Sequence, residues 1–249
     1  MTEILLTNDD GFRATGLKRL REAVSHLGDT MVVAPEREQS AASHALTLTS
    51  PLRISWIDER TISVDGTPTD CVLLAMRGLL GRRPDLLISG INHGPNLGDD
   101  VTYSGTVAAA FEGTLLGLPS IALSVCSWQD CNFDAAVEFA QKIAGVVLTR
   151  GLPEGTLLNV NVPSLPASEI KGVKITRLGK RLYRDAIVRK TDPRGRDYYW
   201  IGGKEPIWVP GEETDFEAIE QGMISVTPLK IDSTDFASLE LLRSWQLKF

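Results

Sequence analysis

Short apolar runs alternate with segments of helical periodicity over roughly the first 150 residues of the chain. Buried strands are predicted at 4–7, 31–34, 85–89 and 120–125, and helices at 16–27, 68–80, 104–116 and 133–148. The first helix illustrates the spacing, because Leu17, Leu20 and Val24 fall on one helical face. Continuous apolar strands that alternate with helices are typical of a mostly parallel sheet covered on both faces. The pattern therefore predicts an α/β fold.

Later segments are less uniform. Alternation of apolar and polar residues predicts strands with one solvated face at 45–57 and 60–64. Further strands are predicted at 156–162, 173–178 and 224–231, and an amphipathic helix at 235–247. The chain is expected to form one core, residues 1–179, with an extension, residues 180–249, that packs on it.

The extension contains a predicted β-hairpin from Arg181 to Gly202. Its turn is the segment Asp192-Pro193-Arg194-Gly195, which is rich in turn-forming residues. One arm carries Tyr198, Tyr199 and Trp200 in succession. An exposed aromatic arm usually covers a neighbouring element or a partner subunit. The hairpin is therefore expected to lie at a contact between copies of the chain.

Charge and cysteine content limit the class of protein. The formal net charge is −6, which argues against binding long nucleic acid, because phosphate neutralisation needs a basic surface. A small phosphorylated ligand stays compatible if a metal ion supplies local positive charge. Cys71, Cys126 and Cys131 show no disulfide or metal-ligand spacing, so reduced thiols in a cytoplasmic protein are expected. No apolar run approaches the ~20 residues that span a bilayer, so no membrane association is expected.

The first candidate site is Asn8-Asp9-Asp10-Gly11, directly after the first predicted strand. Two adjacent carboxylates at the end of a buried strand repel each other and need a compensating cation or full solvation. The carboxyl ends of parallel strands are also where such sheets bind ligands. A plain turn with a helix-capping aspartate is the alternative interpretation.

The second candidate is the glycine-rich loop after the strand at 85–89. Asn92 and Asn96 offer oxygen or amide groups there, and His93 is a further candidate substrate contact. The loop leads into Ser104, Gly105 and Thr106, which open a helix whose free N–H groups and dipole favour an anion. It is neither a Walker A loop nor a dinucleotide fingerprint. A loop with ordinary helix capping is the alternative.

A third polar loop, 34–43, follows the second strand and contributes Ser40, Ser43 and Arg37. All three loops follow sheet strands, so they are expected to converge on one edge. Their side chains offer oxygen ligands, which select a hard cation such as Mg²⁺ or Mn²⁺. Phosphoryl transfer is the chemistry that such a site serves best. A serine esterase is disfavoured because no Gly-x-Ser-x-Gly segment is present.

These motifs together resemble one known family, the stationary-phase survival protein SurE, a family of 5′/3′-nucleotidases. The resemblance rests on ILLTNDDG, VVAPEREQSAAS, GTPTDCV and SGINHGPNLGDDVTYSGTVAAAFEG, and continues through NVNVP, DPRG…YYWIG and TDFEAI…SVTPL. It therefore spans nearly the whole chain.

The resemblance implies a Rossmann-like three-layer fold and a set of site residues. The implied divalent-metal ligands are Asp9, Asp10, Ser40 and Asn92, and the implied phosphate contacts are Asn96, Ser104, Gly105 and Thr106. One Mg²⁺ or Mn²⁺ per subunit is expected. The implied substrates are nucleoside 5′- and 3′-monophosphates, with short-chain polyphosphate as a further substrate. Exchange of the hairpin and the C-terminal helix between subunits is expected to give dimers or tetramers.

The mechanistic hypothesis makes Asp9 and Asp10 catalytic, with a metal-activated water as nucleophile and one carboxylate as general base. A phospho-aspartate on Asp9 is the open alternative. Two rival functions are a non-catalytic phosphate or nucleotide sensor and a dinucleotide-dependent enzyme. The missing glycine fingerprint disfavours the second.

Overall fold

The computed structural model describes residues 2–127, 129, 131–182, 187–201 and 207–247. The strands are β1 Glu3–Thr7, β2 Asp29–Pro35, β3 Ile54–Asp58, β4 Thr61–Val64, β5 Leu86–His93, β6 Ser120–Cys126, β7 Thr156–Pro163, β8 Val173–Ile175, β9 Arg181–Leu182, β10 Ile187–Thr191, β11 Asp197–Ile201, β12 Ile207–Trp208 and β13 Ile224–Lys230. The α-helices are α1 Thr15–Val24, α2 Pro68–Leu74, α3 Gly105–Leu115, α4 Asp134–Arg150, α5 Asp215–Glu220 and α6 Leu239–Ser244.

Among the described residues, nine strands form the central sheet in the order β3-β4-β2-β1-β5-β6-β7-β13-β8. Within this order, the six strands β4, β2, β1, β5, β6 and β7 are parallel to one another. β3 is antiparallel to β4, β13 is antiparallel to β7, and β8 is parallel to β13. Chain order reverses between β1 and β5, since β2 and β4 lie on one side and β6 and β7 on the other. This topological switch point is where doubly wound sheets bind ligands.

Helices cover both faces of the sheet. Ile4 and Leu6 of β1 point toward α1 and α4, whereas Leu5 points toward α2 and α3. This alternation buries every residue of the strand and gives three layers. The predicted α/β fold class is therefore confirmed.

Most predicted elements are present, and the start of α2 matches in detail. The Thr67 side chain accepts a hydrogen bond from the Asp70 N–H, and the Asp70 carboxylate accepts one from the Thr67 N–H, with Pro68 in the first turn. The helix is shorter than predicted, because residues 75–79 form a π-helical turn. The final helix is also shorter, with a 3₁₀ turn at Phe236–Ser238 before α6.

The strand predicted over 45–57 was wrong for its first nine residues. Only β3, at Ile54–Asp58, forms. Thr47 instead donates from its N–H and its hydroxyl to the Asp70 carboxylate at 2.9 and 2.6 Å. Pro51 has no N–H to give a ladder. The segment is therefore held against the start of α2 instead of pairing with a strand.

One strand of the extension belongs to the central sheet, and two others form a separate hairpin. β13 lies between β7 and β8, whereas β10 and β11 pair only with each other among the described residues. The Asp192–Gly195 turn closes this hairpin as predicted, with the Gly195 N–H donating to the Asp192 carbonyl at 3.0 Å. Residues 183–186 and Gly202 of the predicted hairpin lie outside the described residues. The domain boundary at residue 179 stays a prediction.

Candidate active site

Asp9 lies at the centre of the candidate site. It follows β1 and is 4% exposed, and its Oδ1 accepts a hydrogen bond from the Thr106 hydroxyl. Its backbone carbonyl accepts the Gln39 N–H at 2.7 Å. Gly11 turns the chain after it with φ near 97°, a value that L side chains rarely adopt. Asp9 therefore connects the ends of β1 and β2 to the start of α3.

Asp10 follows Asp9 directly, is half-buried and lines a cavity. Its Oδ2 accepts the backbone N–H of His93 at 3.3 Å, which joins the end of β1 to the end of β5. Burial, and then the negative charge of Asp9, raise the pKa of Asp10 to about 6. Burial likewise raises the pKa of Asp9 above its ordinary value, and the hydrogen bond from the Thr106 hydroxyl offsets only part of this rise. Two carboxylates with raised pKa values are stabilised as anions by a bound cation.

Ser40 lies on the loop after β2, whereas Asn92 lies near the end of β5, because this strand continues to His93, beyond the predicted end at residue 89. Ser40 is exposed, follows Gln39 directly, and donates its hydroxyl to Glu38 Oε1 at 2.7 Å. Asn92 donates Nδ2 to the Gly94 carbonyl at 2.9 Å, which leaves Oδ1 as its side-chain ligand atom. The hydrogen bond from the Gln39 N–H to the Asp9 carbonyl thus connects the loop of Ser40 to β1, and the one from the His93 N–H to Asp10 Oδ2 connects the end of β5 to Asp10.

Asn96 is held by a buried network that sequence analysis missed. Its carbonyl accepts Nδ2 of Asn159 and of Asn161 at 2.8 and 2.9 Å, and its N–H donates to Asn161 Oδ1 at 2.9 Å. Its own Nδ2 donates to Ser124 Oγ at 2.8 Å. Both partner asparagines lie in the buried strand β7, and two amides spaced two residues apart in an apolar strand were the available signal.

The start of α3 has a tightly packed geometry. Ser104 caps the helix by accepting the Val107 N–H at 3.1 Å. A Cβ added to Gly105 would lie 2.9 Å from Asp9 Cβ and 3.0 Å from Asp9 Oδ2, so only glycine allows this approach. Thr106 donates to Asp9, so its hydroxyl serves the carboxylate in this arrangement. The free N–H groups of this turn favour an anion close to Asp9.

A cavity of about 730 Å³ opens beside Asp10. It is lined by Asp10, Ala14, Thr15, Gly16, Arg19, His93, Cys131, Asn132, Phe133 and Asp134. Arg19 and Asp134 form an ion pair at 2.7 Å in its wall. The cavity gives Asp10 access to a molecule bound at the sheet edge.

Among the described residues no helix is long and apolar enough to cross a membrane.

The switch point, the paired carboxylates and the helix start are the features of the class of α/β proteins that bind ligands at the carboxyl ends of parallel strands. The family model described as "Survival protein SurE" matches residues 4–185, and the chain belongs to this family. The family predicted from the motifs is therefore confirmed.

Several relatives are similar over almost their whole length. The 5′-nucleotidase SurE of Geobacter sulfurreducens is 56% identical over 245 residues, which cover 98% of this chain and 94% of the relative. That of Geotalea uraniireducens is 53% identical, with 98% and 99% covered. The crystal structure of the SurE protein from Aquifex aeolicus superposes with a TM-score of 0.89 at 45% identity, covering 98% of this chain and all of the other.

Proposed function

We propose that this protein is a 5′-nucleotidase that hydrolyses nucleoside 5′-monophosphates to nucleoside and phosphate with a divalent cation. The observation that carries the proposal is the pair Asp9 and Asp10 at the switch point, one against the start of α3 and the other on an open cavity. The names of the relatives, 5′-nucleotidase SurE, agree with it. Phosphoryl transfer needs positive charge and anion-binding N–H groups at one point; a cation held by the two carboxylates would supply the charge, and the start of α3 supplies the N–H groups.

The residues present fit a hard cation. Asp9 and Asp10 supply carboxylate oxygens, Ser40 a hydroxyl and Asn92 an amide oxygen, the ligand types that Mg²⁺ and Mn²⁺ take. Among the described residues no three His, Cys, Asp or Glu side chains converge, so a nitrogen- or sulfur-rich site is not formed there. The cation, when bound, supplies positive charge to the phosphate and lowers the pKa of a water molecule.

The two carboxylates have different roles in the proposal. Asp9 is buried and fixed by Thr106, so it orients ligand and loop and stays in place during reaction. Asp10 is the more exposed and lines the cavity, so it accepts the proton of the attacking water. Ser104 and Gly105 present N–H groups to the phosphate oxygens, and Asn96 adds its side chain, while Thr106 donates to the Asp9 carboxylate and holds it beside the phosphate.

Phosphate release from AMP, measured with and without EDTA, tests the proposal. Asp9→Asn keeps the shape and is expected to lower kcat/KM by more than about 10³-fold. Asp29→Asn is the matched control, because Asp29 lies at the opposite end of β2 and is half-exposed. Full turnover in EDTA would exclude the cation, and tight AMP binding without phosphate release would favour a sensor.

The finer substrate range forms part of the proposal. Nucleoside 3′-monophosphates and short-chain polyphosphate present the same terminal phosphate to the same site, so we include them as substrates. A panel of AMP, 3′-AMP and tripolyphosphate with Mg²⁺ or Mn²⁺ measures the order of kcat/KM. Activity on AMP alone would restrict the enzyme to 5′-monophosphates.

We also propose that the hairpin β10–β11 and α6 form contacts between copies of the chain. Tyr199 and Trp200 are 60 and 62% exposed, and Leu242 and Trp245 of the C-terminal helical region are 44 and 58% exposed. Apolar surface of this kind is covered in assembled proteins. Light scattering should give a dimer or tetramer that Trp200→Ser weakens. A monomer for the chain without substitution would contradict this.

The thiols of Cys71, Cys126 and Cys131 form no disulfide, and the cytoplasmic location stays a prediction.

A further inference from the structure

The loop that carries Asn96 is connected to the extension through one buried carboxylate, Asp215. Asp215 is fully buried at the first turn of α5. Its Oδ2 accepts the Gly98 N–H at 2.7 Å, and its Oδ1 accepts the N–H groups of Gly179 and Phe216 at 2.8 and 2.9 Å. One side chain thus connects three separate segments of the chain.

The contact around Gly98 is close as well as hydrogen-bonded. Gly98 has φ near 52°, and an added Cβ would lie 2.6 Å from the Gly179 carbonyl oxygen and 3.0 Å from the Trp208 ring. Trp208 in turn stacks on Phe216 with ring centroids 4.4 Å apart. The extension therefore packs directly on the backbone of the loop and leaves little space for it to move.

A second connection lies one turn further along the loop. The backbone N–H of Arg181 donates to Asp99 Oδ2 at 3.1 Å, and its guanidinium forms an ion pair with Asp100. Both aspartates belong to the 3₁₀ turn Gly98–Thr102, which leads into Ser104 and α3. The extension thus fixes the segment that joins Asn96 to the helix start.

We infer that Asp215 is a positioning residue for phosphate binding: it fixes Gly98 so that Asn96 and the start of α3 address the same phosphate group. This inference rests on the proposed function. The four proposed metal ligands, Asp9, Asp10, Ser40 and Asn92, all precede Gly98, where the contacts of Asp215 and Arg181 with the loop begin. Loss of Asp215 therefore weakens phosphate binding and leaves cation binding intact.

The hydrogen bonds of Asp215 are those of an anionic acceptor, because three N–H groups donate to its carboxylate. Burial raises the pKa of this carboxyl above its ordinary value, and the N–H groups of Gly98, Gly179 and Phe216 offset part of that rise. The Asp215 carboxylate uses both of its oxygens to accept these three N–H groups. An asparagine side chain has only one acceptor oxygen, so it cannot accept all three. Hydrogen bonds to a charged acceptor are the stronger kind, so their loss frees the loop.

Asp215→Asn tests the inference by calorimetric titration of inorganic phosphate and, separately, of Mn²⁺, beside AMP turnover. The phosphate Kd and the KM for AMP are expected to rise together by about tenfold. The Mn²⁺ affinity is expected to stay within about twofold, a pattern that general destabilisation does not give. Phosphate affinity equal to that of the unchanged protein would overturn the inference, as would equal losses of phosphate and Mn²⁺ affinity.

Two further variants keep the test decisive. Glu3→Gln also replaces a nearly buried carboxylate, which pairs with Arg60 at 2.8 Å at the far end of β1. It is expected to lower Tm with both affinities unchanged. If Asp215→Asn does not fold, Trp208→Leu removes the ring over Gly98 and should weaken phosphate binding by about threefold. Unchanged affinity in that folded variant would refute the inference. If the protein without substitutions binds phosphate but releases none from AMP, that result would contradict only the proposed nucleotidase function.

Discussion

The approach of α3 to Asp9 leads to a prediction that depends on one methyl group. Gly105 occupies the first turn of α3 with ordinary helical backbone, so alanine there meets no conformational strain. Its Cβ would nevertheless lie 2.9 Å from Asp9 Cβ, 3.0 Å from Asp9 Oδ2 and 3.2 Å from Pro68 Cγ. Carbon atoms in contact normally lie about 3.5–4.0 Å apart. Asp9 and α3 must therefore separate by roughly 0.5–1 Å.

The magnitude follows from that displacement. Overpacking a close contact costs about 1–3 kcal/mol of folding free energy. A chain of this size loses roughly 2–4 °C in Tm per kcal/mol. The effect on activity should be far larger, because a misplacement of about 1 Å costs on the order of 10²-fold in rate. Gly105→Ala is therefore expected to fold, to melt a few degrees lower, and to lose about 100-fold in kcat/KM for AMP.

A second glycine on the same helix provides the control. A Cβ on Gly113 would lie 2.3 Å from Leu87 Cδ2 and 2.6 Å from Ser120 Oγ, in the core and far from Asp9. Gly113→Ala should lower Tm at least as much while kcat/KM changes by less than about threefold. Phosphate release and differential scanning calorimetry measure both quantities. Gly105→Ala with more than half the normal activity, or parallel activity losses in both variants, would refute the steric argument.

Three further predictions concern the site and its supports. Between pH 4 and 6, the raised pKa of Asp10 means that the folded protein binds protons that the unfolded chain releases, so metal-free stability falls as pH rises. Asp10→Asn in EDTA should therefore raise the free energy of unfolding at pH 7 by roughly 1–3 kcal/mol and change it little below pH 4. An unchanged free energy of unfolding at pH 7 would contradict this. Asn161→Leu strands the N–H of Asn96, so it should cost about 1–3 kcal/mol in urea unfolding and weaken phosphate binding; unaltered binding would exclude the network from the site. Thr47→Val removes a 2.6 Å hydrogen bond to Asp70 and should cost about 1–2 kcal/mol, with normal activity; a loss of activity would show that the 45–53 segment reaches the substrate.

Local patterning was sufficient to predict the main fold. Apolar runs such as 4–7 and 85–89 have no polar face, so they identify strands buried between two helical layers. The alternation of apolar and polar residues wrongly predicted a strand over 45–53. Thr47 in this segment instead donates a hydrogen bond to Asp70, which is distant in the sequence. A tertiary hydrogen bond of that kind has no local signal.

The candidate site divides in the same way. Asp9, Asp10, Ser40 and Asn92 lie at or after the carboxyl ends of the neighbouring strands β1, β2 and β5, so strand order alone predicts that they lie at one edge of the sheet. Asp215 could not be predicted from sequence, because it resembles an ordinary residue of a helix first turn. Its acceptors bind Gly98 and Gly179, and only the folded chain brings these backbones together.

The position of β13 has a consequence for how the protein is made. The strand joins the central sheet beside β7, although about 60 residues separate the two in the chain. Until β13 has left the ribosome, the edge of β7 that pairs with it is open. Unpaired edges attract other strands, so nascent copies on neighbouring ribosomes are exposed to mispairing at this stage. The sheet therefore closes only after β13 has been made, and the same late part of the chain carries α5, whose Asp215 contacts the loop of Asn96.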